Sequence, residues 1–167
     1  DELSRIGVTP KILAAFFAHQ GYTLSGRAHM AAHVDYLSEV AGRSAVFSSA
    51  LSARSEAEAL SFEQYVRMLA VYHQDVGRLS RLNLDSGSMP EAVREDGGLV
   101  LVLPVDYFYW TQPWKKKFDA VGGTAVREKT GDPPATELVV RGSISVRARK
   151  ELAKRGVLVR ERFLALR

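Results

Sequence analysis

GLVLVLPV at residues 98–105 is the longest continuous apolar run in the chain and predicts a strand. A continuous apolar run bounded by turn residues is typical of a strand that is covered on both faces, as in a parallel sheet. ELVVR (137–141) and VLVRERF (157–163) predict two further strands. The segment between them, SVRARKELAKR (145–155), has a helical pattern, and a connection of about fourteen residues suits a right-handed crossover.

The residues before this stretch predict helices that alternate with shorter strands. Thr9 and Pro10 are typical of the start of a helix, which Gly21 would end. YTLS (22–25) and RSAVFSS (43–49) predict two short strands. Further helices are predicted at 27–41, 51–82 and from residue 111 to the glycines at 122 and 123.

This alternation predicts an α/β fold with a mainly parallel sheet of about five strands and helices on both faces. The 167 residues suit a single α/β domain, with a loop or linker at TGDPPAT (130–136). Because the chain opens at Asp1 without an initiator Met, we expect a processed or excised piece of a longer protein.

The composition restricts the kinds of chemistry that the chain can perform. Its 46% hydrophobic and 25% charged residues are ordinary for a globular protein. The longest nearly uncharged run is much too short to span a bilayer, so no transmembrane segment is expected. The absence of cysteine excludes disulfides, a thiolate zinc site and a thiol nucleophile.

Positive charge is concentrated at the carboxyl-terminal end. Residues 1–83 hold eight Lys/Arg and eight Asp/Glu, whereas residues 141–167 hold nine Lys/Arg and two Glu. A basic end of this kind attracts phosphates or acidic protein surfaces. The alternative is a solvated face that serves solubility.

One sequence phrase occurs twice, as LSARSEAEA (51–59) and as ISVRARKEL (144–152). Each copy follows a predicted strand and offers a serine, Ser52 or Ser145, that can cap the next helix. The phrase therefore predicts one type of strand-to-helix joint used twice. Arg147 would lie in the first helical turn, where the helix dipole disfavours a cation.

Histidine spacing raises the question of a metal site. HMAAH (29–33) places two histidines four residues apart on a helix, a spacing that can chelate a metal. Asp35 would point roughly 160° away from His33 on the wheel, and the glutamate of the HExxH motif is missing. We therefore predict core or edge histidines, no metal site and no cofactor. His73 also lies in an apolar arc, and sequence does not show whether it meets His33.

Gly–Ser pairs beside predicted helix starts are candidate anion sites, since free N–H groups at a helix amino terminus bind phosphate. LSGRA (24–28) and RGSIS (141–145) both have this form. The last predicted helix adds a cationic stripe. The candidate anion-binding residues are Arg141, Ser143, Arg147, Lys150 and Lys154.

The strongest local anomaly is VDYFYWTQPWKKKF (105–118), in which aromatic residues precede three lysines. This segment follows the strand predicted at 98–105. Because ligands of open α/β sheets bind beyond the carboxyl ends of strands, the segment is placed where a ligand would bind. Such side chains can grip a partner protein, stack on nucleic-acid bases or lie at a membrane surface. The candidate partner-binding residues are Tyr107, Tyr109, Trp110, Trp114, Lys115, Lys116 and Lys117.

Three functional hypotheses follow. The first is a non-catalytic binding module of a larger protein. Its partner would be another protein, the remainder of the parent chain or an anionic molecule, and a nucleic-acid-binding domain is the alternative within this class. The second is a small α/β enzyme acting on a phosphorylated ligand, with Asp106 and one histidine in a single pocket and Arg141 or Arg147 as phosphate clamp. The third is a scaffold. The sequence has no nucleophile-elbow, P-loop or dinucleotide motif.

Overall fold

The computed structural model of the protein describes residues 7–84, 91–124 and 135–164. The helices within these ranges are α1 (Pro10–Ala18), α2 (Leu24–Tyr36), α3 (Ala45–Ala50), α4 (Glu56–Asp75), α5 (Gln112–Thr124) and α6 (Val146–Ala153). The strands within them are β1 (Leu79–Asn83), β2 (Glu91–Arg94), β3 (Leu99–Leu103), β4 (Tyr107–Phe108), β5 (Glu137–Val140), β6 (Ser143–Ile144) and β7 (Leu158–Arg160). Helices and a central sheet in one chain confirm the α/β prediction at this level.

The central sheet has five strands in the order β1-β2-β3-β5-β7. β1 and β2 pair antiparallel, as do β2 and β3. β3 and β5 pair parallel, and so do β5 and β7. The sheet is therefore mixed, with a parallel half built from the three strands predicted downstream of residue 98 and an antiparallel half that the alternation pattern did not predict. A separate two-stranded parallel ladder joins β4 to β6.

Apolar side chains form two clusters that share the sheet. The first cluster contains the buried residues of α1 to α4 with Val100, Val102 and Val139. The second contains Leu101, Leu103, Leu138 and Val140 with the buried residues of α5 and α6. Because successive side chains of a strand point to opposite faces, β3 and β5 contribute alternately to the two clusters. A strand that is buried on both faces needs a continuous run of apolar residues, and the sequence of β3 has one.

Two of the predicted short strands are wrong. Residues 43–49 lie largely in α3, where Val46 and Phe47 are fully buried in the first cluster. Residues 22–25 contain the amino-terminal cap of α2, Thr23, whose hydroxyl accepts from the Gly26 N–H at 3.0 Å. Short β-branched and aromatic runs cannot be distinguished from helix by pattern alone, and packing against α4 decided for helix.

The antiparallel strands β1 and β2 were missed. Most of β1 falls within the helix predicted to residue 82, whereas α4 ends at Asp75 and the chain turns at Val76. β2 begins at Glu91, directly after residues 85–90, and those six residues lie outside the described ranges. The predicted loop at 130–136 also lies outside them, except for its last two residues.

The doubled phrase marks a strand-to-helix joint in only one of its copies. Ser145 caps α6, accepting from the Ala148 N–H at 3.1 Å. In the other copy Ser52 donates to the Ser49 carbonyl, and Ser55 caps α4 instead, with the Glu58 carboxylate accepting from the Arg54 N–H at 2.7 Å. The first copy follows a helix rather than a strand, so the prediction of a shared joint is wrong.

Candidate binding surface

The aromatic segment is placed by the small β4–β6 ladder. Tyr107 pairs with Ser143 and Phe108 with Ile144, and the Ser145 N–H donates to the Phe108 carbonyl at 3.0 Å. Gly142 is required beneath this ladder, because a Cβ there would overlap the Asp106 carbonyl oxygen. The ladder therefore brings the end of the β3–β4 connection to the amino-terminal end of α6.

Tyr107 and Tyr109 project from the outer side of this ladder. Their exposed fractions are 46% and 64%, and their ring centroids lie 4.7 Å apart. The residue between them, Phe108, is buried in the second cluster, as expected for alternation along an extended chain. An exposed pair of rings in mutual contact is a rigid apolar surface with hydroxyl groups at its rim.

The remaining aromatics of the segment belong to the core. Trp110 is buried and stacks on Phe118 with ring centroids 5.7 Å apart, and the Arg155 guanidinium lies 4.9 Å from the Trp110 ring. Trp114 is half-buried and meets Phe108 edge to face. These four rings, Phe108, Trp110, Trp114 and Phe118, lie in or against the second cluster together with side chains of β3 and β5.

The three lysines are also divided. Lys115 pairs with Asp119 at 2.8 Å along α5, and Lys117 pairs with Glu91 of β2. Lys116 is exposed, and no salt bridge of it occurs within the described part of the chain. Intramolecular carboxylates thus neutralise two of the three charges predicted for a partner.

The cationic stripe of α6 lies opposite the buried face of that helix. Ala148 and Leu152 are buried in the second cluster, while Arg147, Lys150 and Lys154 are exposed. Lys154 pairs with Glu151 at 2.8 Å. Arg147 and Lys150 form no salt bridge among the described residues. The stripe therefore keeps two uncompensated cations, spaced by about one helical turn.

Arg141 and Ser143 lie at the carboxyl end of β5 and on β6. The Arg141 guanidinium bonds to the Gln64 side chain and to the carboxylate of Asp106, whose side chain is 87% exposed. Arg141 is therefore already engaged, and it ties the β3–β4 connection to α4. Ser143 stands opposite Tyr107 on the ladder.

We name the set Tyr107, Tyr109, Arg147, Lys150 and Lys154 the tyrosine–cation surface. Its tyrosines and the first turn of α6 are neighbours through the β4–β6 ladder. The sequence prediction included these five residues and seven others. Of those seven, Trp110 and Trp114 pack in or against the second cluster, and Lys115, Lys117 and Arg141 form ion pairs. Lys116 is exposed, and Ser143 pairs with Tyr107 on the ladder.

The predicted Gly–Ser turn at 24–28 is not a turn. Gly26 lies within α2 and is buried beside Glu63 of α4, where a Cβ would crowd the Glu63 carboxylate. Arg27 donates to the His19 carbonyl at 2.7 Å. Residues 24–28 are therefore the first residues of α2, and they follow a helix rather than a strand.

His33 and His73 lie in different surroundings. His73 is 4% exposed; its Nδ1 accepts from the Leu79 N–H at 3.0 Å, and Arg78 lies 3.1 Å from its Nε2. Burial, with Arg78 adding, lowers the pKa of His73. Burial also lowers the pKa of His33, to which Arg67 and His29 contribute. No group of three or more metal-ligating side chains occurs within the described ranges.

Sequence reasoning missed a buried carboxylate at the start of β5. Glu137 is 3% exposed and accepts from the Tyr72 hydroxyl at 2.6 Å and from Arg160 Nε at 2.8 Å. Arg94 lies 3.6 Å from the same carboxylate. Burial, followed by the hydrogen bond to Glu137, raises the pKa of Tyr72 to about 12. A charged residue beginning an otherwise apolar strand was the available signal.

Comparisons with known proteins return nothing for this chain: no family model, no curated protein and no solved structure matches it. No helix among the described residues has the length and apolar character needed to cross a membrane.

Proposed function

We propose that this chain is a non-catalytic binding module that holds an acidic partner protein on the tyrosine–cation surface. The observation that carries the proposal is the exposed pair of Tyr107 and Tyr109, which stand in contact while the neighbouring Phe108 and Trp110 are buried. Tyrosine is among the residues that contribute most at protein interfaces, because it offers large contact area with few rotatable bonds.

The charge around the tyrosines supports an acidic partner. Arg147 and Lys150 are exposed on α6, the helix that follows β6, and residues 141–167 carry a large excess of cations. Unpaired surface cations accelerate encounter with a partner of opposite charge and select against cationic partners. A sheet with helices on both faces, which the two apolar clusters support, would hold this surface as a rigid unit.

Nucleic-acid binding is the alternative within the binding-module class. It calls for several cations free to contact phosphates and for rings free to stack on bases. Lys115 and Lys117 are held by Asp119 and Glu91, and both tryptophans pack in the second cluster. The two exposed tyrosines remain available for stacking, so the experiment below includes an oligonucleotide.

The enzyme alternative predicted that Asp106 and a histidine converge. Asp106 is exposed and pairs with Arg141, whereas His73 contacts Arg78 and the start of β1. The charged neighbours of His33 are Arg67, His29 and Glu63. This geometry offers no acid–base pair with Asp106, and the binding module is the better supported proposal.

The test compares two labelled anions at about 50 and 200 mM salt by fluorescence anisotropy. One is a peptide of glutamates interspersed with leucines, and the other is a single-stranded oligo-dT. We expect the peptide to bind, and the change Tyr107→Ala/Tyr109→Ala to weaken it at least about tenfold, the effect of losing one good interface contact. Arg147→Glu/Lys150→Glu should weaken it further.

Lys115→Ala/Lys116→Ala/Lys117→Ala serves as the matched control, because two of its lysines are paired within the chain. It should leave peptide binding almost unchanged. Preferential binding of oligo-dT that falls steeply with salt and needs these lysines would replace the proposal with nucleic-acid binding. If neither anion binds at the lower salt, the proposal is rejected.

A further inference from the structure

The two edges of the five-stranded sheet end differently. The outer side of β1 is covered by Ala41, whose N–H donates to the Ser80 carbonyl at 2.9 Å and whose carbonyl accepts from the Leu82 N–H at 2.8 Å. A sheet edge with unpaired peptide groups is a template for another strand, and this short bridge fills that position on β1.

The outer side of β7 has no such cover among the described residues. β7 pairs with β5, and the Leu158 N–H donates inward to the Thr136 carbonyl at 2.9 Å. Because the peptide groups of a strand alternate in direction, those of Val159 face outward. Leu158 is 54% exposed beside them. The edge therefore offers a backbone donor and acceptor next to an apolar side chain.

The charges along this edge are predominantly positive. Arg160 is exposed, although its Nε donates to the buried Glu137 at 2.8 Å, and Arg162 is exposed just past the end of β7. The one carboxylate between them, Glu161, is turned back into the molecule, where it accepts from the Ile144 N–H at 2.8 Å and pairs with Arg149 at 2.7 Å. An added strand would meet Leu158 before the open peptide groups of Val159 and these two arginines after them.

We propose that the outer edge of β7 accepts an extended acidic segment of a partner protein as an additional strand. Main-chain hydrogen bonds to Val159 would supply affinity, and glutamates or aspartates facing Arg160 and Arg162 would supply selectivity. A second copy of this chain is disfavoured at the same edge, because it would bring the same arginines together, and like charges opposite each other destabilise a ladder.

This proposal is independent of the tyrosine–cation surface, which lies on other elements. The probe is a labelled peptide of alternating glutamate and valine, about ten residues long to match an ordinary strand, with a lysine–valine peptide as its counterpart. We expect the acidic peptide to bind and the basic peptide not to bind. Val159→Pro, which removes the outward donor at a position where edge strands tolerate proline, should weaken binding about tenfold.

Both peptides are measured on the Tyr107→Ala/Tyr109→Ala variant, because the tyrosine–cation surface is itself proposed to bind acidic peptides. On that variant, Arg162→Glu should weaken binding of the acidic peptide and improve binding of the basic one. Since Val159 packs partly against the second cluster, Val159→Pro is paired with a measurement on the unaltered chain. Exchange of the Val159 amide hydrogen, followed by NMR, should slow at least about tenfold when the acidic peptide is added, as expected for a newly formed hydrogen bond.

The following outcomes would overturn the proposal. They are equal binding of the two peptides, unchanged exchange of the Val159 amide in the presence of bound acidic peptide, and a dimer of the chain in sedimentation that the acidic peptide disrupts. The last outcome would assign this edge to a second copy. Loss of binding only in the tyrosine variant would assign the peptide to the other surface.

Discussion

At the scale of single residues, the buried polar groups of this chain connect parts that are distant in sequence. Glu137 of β5 receives hydrogen bonds from Tyr72 of α4 and from Arg160 of β7. Arg94 of β2 adds its charge to the same carboxylate. A buried carboxylate is tolerated only when donors and cations satisfy it, so these contacts fix how α4 lies on the sheet.

We predict that Glu137→Gln lowers the free energy of unfolding by about 3–5 kcal/mol, because it leaves the buried end of Arg94 without its partner carboxylate. Tyr72→Phe should cost less, about 1–3 kcal/mol, since it removes one donor. Urea unfolding measures both. Glu95→Gln, on the exposed turn after β2, is the matched control and should change stability by no more than about 0.5 kcal/mol. Equal effects of Glu137→Gln and Glu95→Gln would contradict this prediction.

His73 predicts a dependence of stability on pH. Burial and Arg78 lower its folded-state pKa, while Glu95 and Glu39 oppose this. The unfolded chain, with an ordinary pKa of about 6.5, then binds the proton more readily, so stability is greatest above that pH and falls as the pH drops below it. Protonation of Nδ1 would also break the hydrogen bond from Leu79.

Urea midpoints at about pH 7.5 and 5.5, on either side of the ordinary histidine pKa, measure this loss. His73→Gln keeps an acceptor for Leu79 but cannot titrate, so it should flatten the dependence, leaving the part that belongs to His33. Gln74→Ala, at an exposed and uncharged position of α4 beside His73, is the control and should leave the slope as it is. A slope unaffected by His73→Gln would refute the assignment.

At the scale of elements, helix starts depend on individual capping side chains. Ser145 caps α6 and Ser55 caps α4, whereas Ser52 bonds within its own turn. The two copies of the repeated phrase therefore have different structural roles, although the serine at the same place in the phrase suggests the same one. α4 begins three residues later than the phrase indicates.

Ser145→Ala and Ser55→Ala should each cost about 1 kcal/mol, the usual effect of losing a side-chain cap. For a chain of this size, that corresponds to a fall in Tm of roughly 2–4 °C. Ser52→Ala should remain within about 0.5 kcal/mol of the unaltered chain. Thermal unfolding followed by circular dichroism measures all three. A loss for Ser52→Ala as large as that for Ser145→Ala would restore the interpretation of a shared joint.

At the scale of the whole molecule, the central sheet contributes side chains to both of the apolar clusters that the described residues form. Val100 and Val102 of β3 belong to the first cluster, and Leu101 and Leu103 belong to the second. Loss of either cluster exposes one face of the same strand. The two clusters should consequently unfold together, as the expectation of a single domain requires.

The chain offers a direct measure of this coupling. Both tryptophans, Trp110 and Trp114, lie in or against the second cluster, while the long helix α4 packs in the first. Tryptophan fluorescence and far-ultraviolet circular dichroism should give coincident urea transitions. A tryptophan transition at distinctly lower urea would instead divide the chain into two cooperative units.

The sequence by itself determined the parallel half of the fold and the start of α6. β3, β5 and β7 followed from apolar runs, and Ser145 from a capping pattern, because burial on two faces and capping are local signals. It also determined which segment is rich in aromatic residues and lysines. It did not determine how that segment divides between core and surface.

Only the tertiary structure decided the antiparallel half of the sheet, the helix at 45–50 and the partners of the charged residues. The ion pair of Lys117 with Glu91 and the contacts of Glu137 join residues far apart in the chain. Such contacts depend on which elements pack together, and no local spacing encodes them. The same physical reason left Tyr107 and Tyr109 exposed while Trp110 became core: the β4–β6 ladder fixed which face of that segment met the second cluster.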